Sequence, residues 1–210
     1  MYTLYYSPGA ASLVVHWVLI ELDVPHELVK LDLDAKQHKT PDYLALNPSG
    51  VVPTLLIDGK PMCEAAAIVL YLADEYPTAR LAPQPGSSQR SRFYQWMFYL
   101  ANTLQPPFRS WWYPDEAAGA ANSVAAKEQA RIKIEAAFAN IDTQLANRGP
   151  YLLGEQLTVA DFMLVMLMRW SRGMPKTALE YPNLAKLANL LKARPSFKSL
   201  YASEGLTEWA

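Results

Sequence analysis

The chain has a single cysteine, Cys63, in 210 residues. That excludes an intrachain disulfide and suits a reducing compartment. It also lacks an excess of either charge: 19 basic residues against 20 acidic leave a net charge of -1. Such a balance offers no basic surface to nucleic acid or anionic lipid. Long apolar runs are missing too, and the most apolar stretch, Phe162 to Met168, is far too short to span a bilayer. The start, MYTLYYSPGA, has no basic segment followed by an apolar core, so it does not read as a secretion signal. No histidine, cysteine or carboxylate spacing suits a metal. These absences predict a cytoplasmic protein with no metal, no nucleic-acid partner and no membrane partner. What is present is a globular composition, 51% hydrophobic and 19% charged, in a chain long enough for one large domain or two modest ones.

The first part alternates strand and helix signals. Tyr2 to Tyr6 is aromatic-rich and reads as a strand, followed by the turn residues Ser7, Pro8 and Gly9. Ser12 to Leu22 is apolar on almost every side, as a buried helix is. Glu27 to Leu33 reads as a second strand, and Asn47 to Gly50 as a turn with a loop before it. Thr54 to Ile57 and a short strand near Pro61 to Cys63 flank Asp58-Gly59, the strongest hairpin signal in the chain. Glu64 to Tyr76 reads as a helix stopped before Pro77. The next ten or so residues are rich in proline, glycine and serine and read as a linker. Beyond it only helical patterns remain: Arg90 to Gln105 ending at Pro106-Pro107, Val124 to Arg148, the nearly all-apolar Val159 to Trp170, and two shorter ones around Leu184 to Ala193 and Phe197 to Tyr201. The expected organisation is an α/β domain over residues 1–78, a linker over 79–87 and an all-helical domain over 88–210.

Four local features bear on chemistry. YYSPGAAS lies at a strand-to-helix junction, where free N–H groups and the positive helix end can hold an anion, including a thiolate. There Ser12 is either part of such a site or only an N-cap. In GVVPT, Pro53 sits directly before a strand. A cis bond would let Val52 offer its backbone to a peptide, and a trans bond would make an ordinary turn. Glu64 opens a helix. It either caps that helix or joins the adjacent N–H groups in taking both ends of an α-amino acid. Finally, Thr158-x-x-Asp161 forms a capping box, a structural device that satisfies N–H groups which, buried and unpaired, would each cost about 1–3 kcal/mol.

YYSPGAAS, HKTPDYLALNPSGVVPTL, the helix led by Glu64, YLADEYP and LTVADF occur in this order over essentially the whole chain. In this order they resemble a bacterial glutathione transferase. SPGxxS with His16 is similar to the beta class in particular. The resemblance implies a thioredoxin-like N-terminal domain that binds glutathione, an all-α C-terminal domain and a homodimer. It implies a cis bond before Pro53, with Val52 pairing to the cysteinyl backbone of glutathione. It further implies Glu64 and Ala65 at the γ-glutamyl end, with His38 and Lys39 in a loop that reaches the glycine carboxylate. The activity it implies is conjugation of the glutathione thiolate to small hydrophobic electrophiles, a detoxification chemistry with glutathione as co-substrate.

The chain departs from the family pattern at the thiol. Ala11 stands where the beta class usually has cysteine, and Ala10 where other classes have a catalytic serine. Ala65 replaces a common serine, and Gln105 replaces a histidine that lines the beta-class substrate pocket. Ser12 is the first expectation for the thiol donor, from its place at the helix start, and Tyr6 the second. Tyr5 and Ser7 are the remaining hydroxyls. Alternation along the strand puts Tyr5 on the face opposite Tyr6. A free thiol with a pKa near 8.5 is a few per cent thiolate at pH 7, and lowering it by two units takes roughly 2.7 kcal/mol. Phe108, Trp111, Trp112 and Tyr113 either wall the electrophile pocket or pack the domain interface. Cys63 is expected to be buried and inert, and His16 and His26 to be ordinary histidines. A glutathione-dependent peroxidase or isomerase of the same fold is a rival reading. A non-catalytic ligand-binding homologue is another.

Overall fold

The computed structural model describes residues 1–209, so residue 210, the end of the expected helical domain, lies outside the described residues. Strand β1 (Tyr2–Tyr6) buries Leu4 and Tyr6 on one face. Helix α1 (Ser12–Glu21) is buried from Ser12 to Leu19, as its apolar surface requires. Strand β2 (His26–Lys30) ends three residues before the expected Leu33. Helix α2 (Pro41–Leu46) occupies a stretch read as loop. Pro41 is at its first position, where a missing N–H has no intrahelical partner to lose. Strands β3 (Thr54–Ile57) and β4 (Lys60–Cys63) are joined by Asp58 and Gly59, both at positive φ (49° and 81°), as a tight hairpin turn demands. Helix α3 (Ala65–Glu75) stops before Pro77.

The sheet order is β2-β1-β3-β4. The pair β1–β2 is parallel, and β1–β3 and β3–β4 are antiparallel. This mixed four-stranded sheet with its crossing helix is the expected thioredoxin-like arrangement.

The rest is helical: α4 (Arg90–Tyr99), α5 (Gln105–Trp112), α6 (Pro114–Ala118), α7 (Ser123–Arg148), α8 (Val159–Trp170), α9 (Pro182–Lys192) and α10 (Pro195–Glu204). The helix expected to end at Pro106-Pro107 instead runs through them. A π-helical turn, Leu100–Leu104, shifts the hydrogen-bond ladder so that both prolines fall in the first turn of α5. Proline has no N–H to give and crowds the carbonyl four residues back, so the ladder steps over it. Helix α8 is buried from Val159 to Arg169 and carries the capping box. Asp161 accepts from the N–H groups of Leu152 (2.8 Å) and Thr158 (2.8 Å) and from the Thr158 hydroxyl (3.1 Å).

The chain divides into two units, Met1–Arg80 with Lys192–Ala210, and Leu81–Leu191. The division differs from the expected one in that α10 joins the α/β unit. Trp17 of α1 donates to Ser196 (3.0 Å) and stacks on Phe197 at 5.2 Å. Arg194 and Ser196 both bond to Glu21.

Candidate functional site

The strand register gathers the sequence-predicted residues of the α/β unit at one end of the sheet. Tyr6 lies opposite Lys30 in β2, Tyr5 opposite Thr54 in β3, and Thr54 opposite Cys63 in β4. The turn 7–11, the loop after β2, Val52-Pro53 and Glu64 therefore all leave the sheet from the same end.

Val52-Pro53 is a cis peptide. Neither the N–H nor the C=O of Val52 has a hydrogen-bond partner among the described residues. Glu64 is solvent-exposed and holds φ at +68°, a left-handed conformation rare for a glutamate. Backbone outliers of this kind concentrate at ligand sites. Its C=O accepts the Ile68 N–H (2.9 Å), which starts the ladder of α3. The N–H groups of Ala65, Ala66 and Ala67 lie in that first turn, where no intrahelical acceptor exists. His38 and Lys39 form a 3₁₀ turn that sits on the 47–50 turn. A Cβ built on Gly50 would lie 2.9 Å from the His38 carbonyl and 2.8 Å from Lys39 Nζ.

At the thiol end the Ser12 hydroxyl is engaged within the protein. Ser12 is fully buried. Its hydroxyl accepts the Ser7 N–H (3.2 Å) and donates to the Ser7 C=O (3.1 Å), closing a clasp that holds the turn. Its one proton is given to the Ser7 C=O in this arrangement. The cap position of α1 is Ala11, and Ser12 is the first helical residue. Tyr6 is buried on the α1 side, its ring centroid 5.8 Å from that of His16. Burial, then the nearby Glu204 carboxylate, holds its hydroxyl above the ordinary tyrosine range, which keeps it protonated. Tyr5 lies on the other face against Tyr43 at 5.6 Å, as alternation predicts. The N–H groups of Ala11 and Ser12 have no acceptor among the described residues.

Other expectations shift as well. Cys63 is half-buried rather than buried, with Sγ 3.9 Å from Thr54 Oγ1. His16 is buried, and its Nδ1 lies 2.9 Å from Glu204 of α10, whose other oxygen accepts the Gly9 N–H at 2.8 Å. In the helical unit the aromatic cluster divides. Phe108 is 1% exposed and packs on Phe138 and Trp170; Trp111 is buried beneath Lys127. Trp112 is 41% exposed with Arg172 over its ring, and it shares one side of α5 with the half-buried Gln105, seven residues earlier.

Two parts of the site had no reading from sequence. One is a buried polar cluster of Tyr43, Asn47 and Thr54, of which the first two are four residues apart along α2 and its end. Recognising Thr40-Pro41 as a helix start would have put them on one face. The other is Glu204, 195 residues from Gly9, for which no local signal exists.

Residues 1–74 match the family model for the glutathione S-transferase N-terminal domain, and residues 102–204 a model for its C-terminal domain. The chain is 30% identical to glutathione S-transferase GstA of Escherichia coli O157:H7 over 97% of its own length and 98% of the relative's. It is 36% identical to glutathione S-transferase GST-4.5 of Xanthomonas campestris pv. campestris, covering 80% and 81% of the two chains. Among solved structures, a sphingomonad glutathione S-transferase complexed with glutathione superposes with a TM-score of 0.85 at 33% identity, over 98% of this chain and 100% of that one.

Proposed function

The chain belongs to the glutathione S-transferase family, and from that premise we propose that it joins the thiolate of glutathione to small hydrophobic electrophiles. The observation that carries the reading is the convergence at one end of the sheet of Val52, with its backbone unpaired, and Glu64, at positive φ. Val52 pairs with the cysteinyl backbone beside Pro53. Glu64 takes the ammonium of the γ-glutamyl group, and the N–H groups led by Ala65 take its carboxylate. Lys39, with His38, meets the glycine carboxylate. The sulfur lies at the head of α1, where the N–H groups of Ala11 and Ser12 and the positive helix end favour its ionised form, with Tyr6 as the side-chain donor. The thiolate then forms a C–S bond and the leaving group departs with its electron pair. On α5, Gln105 and Trp112 are the sequence-predicted residues left open to a small hydrophobic molecule. The resemblance supports a homodimer, and the single cysteine supports a cytoplasmic setting.

An ultraviolet titration of glutathione bound to the protein, following thiolate absorbance, tests this. A bound-thiol pKa well below that of the free tripeptide, with turnover of a chloronitrobenzene, is the expected result. Binding without a thiolate signal and without turnover overturns the proposal in favour of a ligand carrier, and a preference for cumene hydroperoxide overturns it in favour of a peroxidase.

A further inference from the structure

The buried cluster around Val52 has a proton count that closes. The Val51 carbonyl accepts from Tyr43 Oη (2.7 Å) and from Asn47 Nδ2 (2.8 Å). Tyr43 has one hydroxyl proton, and the Val51 carbonyl takes it. The 2.8 Å contact between Tyr43 Oη and Thr54 Oγ1 must then be donated by threonine. Thr54 in turn accepts the second amide proton of Asn47 at 3.2 Å. Every donor in the ring is used. The Asn47 side-chain oxygen accepts the Ser49 N–H (3.1 Å), and the Asn47 carbonyl accepts the Gly50 N–H (2.9 Å). Tyr43, Asn47 and Thr54 are all at least nine-tenths buried.

One consequence is directional. The Val51 carbonyl and the Val52 N–H belong to one trans peptide plane, in which they point in opposite directions. Two hydrogen bonds that pull the carbonyl into the protein thereby turn the Val52 N–H outward. Thr54 anchors the far side of Val52-Pro53 through the same ring. We infer that Tyr43, Asn47 and Thr54 are positioning residues that aim the Val52 backbone at the cysteinyl unit of glutathione without touching it. The inference rests on the proposed glutathione reading and assigns these residues a part in affinity, leaving the chemical step to the head of α1.

The test pairs Thr54→Val with Thr54→Ser, and adds Tyr43→Phe. Calorimetry with S-hexylglutathione is combined with steady-state kinetics on glutathione and a chloronitrobenzene. Thr54→Val and Tyr43→Phe should each raise the Kd for S-hexylglutathione and the KM for glutathione about tenfold, the effect of one lost neutral hydrogen bond. The value of kcat at saturating glutathione and the KM for the chloronitrobenzene should stay within about twofold. Thr54→Ser keeps the hydroxyl and should retain the wild-type constants. If wild type binds S-hexylglutathione and the Thr54 variants bind it equally well, the positioning role is overturned while the glutathione reading stands. A fall in kcat with unchanged KM overturns it too. Failure of the wild type to bind S-hexylglutathione overturns both.

Discussion

Replacing Asp161 with asparagine should remove a fall in stability between pH 4 and 6. The carboxyl is fully buried, and burial pushes it from its ordinary 3.8 up to about 6, against the hydrogen bonds from Leu152 and Thr158 that favour ionisation. In the unfolded chain the same group loses its proton near pH 4. The folded form holds that proton about two units longer, so the associated stability is fully present below pH 4 and disappears as pH rises to 6. Two units correspond to about 3 kcal/mol, a large share of the stability of a typical domain. An amide does not titrate, so the unfolding free energy of wild type should fall by about 3 kcal/mol relative to Asp161→Asn between pH 4 and 6 and run parallel to it above. Urea unfolding followed by tryptophan fluorescence at half-unit pH steps measures the difference directly, and the common titration of all other carboxylates cancels. Parallel profiles from pH 4 to 7 would refute the reasoning. They would mean that the three donors fully offset the cost of burying the charge.

Two further perturbations probe the supports of the site. Glu204→Ala takes the acceptor away from the Gly9 N–H and the partner from His16 Nδ1. It should lower stability by about 2–6 kcal/mol at 1–3 for each group. Glu204→Gln, whose amide can both accept and donate, should recover most of that loss, and equal losses in urea titrations of the two variants would contradict the assignment. Gly50→Ala forces a side chain onto a backbone at φ +56° and against the His38 carbonyl, which cannot swing aside as Lys39 Nζ can. It should cost roughly 1–3 kcal/mol, and calorimetry should show weaker glutathione binding as the 38–39 turn shifts.

What was legible in the sequence, and what was not, follows the range of the interactions. The hairpin at Asp58-Gly59, the buried helix after Ser12 and the Thr158–Asp161 capping box are set by residues within a few positions of one another, and their periodicity or turn chemistry reads directly. Helix α2 was missed because Pro41 followed by Asp42 looks like punctuation, although a proline at the first helical position starts a helix as readily as it ends one. The same ambiguity hid α5, where Pro106-Pro107 falls in the first turn after a π-helical step.

At the head of α1, the place of Ser12 was legible in the sequence and the engagement of its hydroxyl was not. Ser12 stands where a helix-start hydroxyl should serve an anion. Whether that hydroxyl is available depends on a partner five residues back, the Ser7 backbone, which uses its proton and one of its two lone pairs. A hydroxyl group can donate only once, so the geometry decides a question that residue identity leaves open. With Ala10 and Ala11 beside it, α1 itself offers a sulfur only backbone N–H groups, and Tyr6 of β1 is the one side-chain donor proposed. On the proposed function, thiol activation depends on how firmly the 7–12 turn is held, by Ser12 from within the helix and by Glu204 through Gly9 from α10. On that reasoning Ser12→Ala, which removes no group facing the ligand, should still raise the pKa of the bound thiol by loosening the turn. Glu204→Ala should raise it as well, and Glu204→Gln should not. A bound-thiol pKa unchanged in both alanine variants would show that the backbone N–H groups at this end of α1 do not carry the activation.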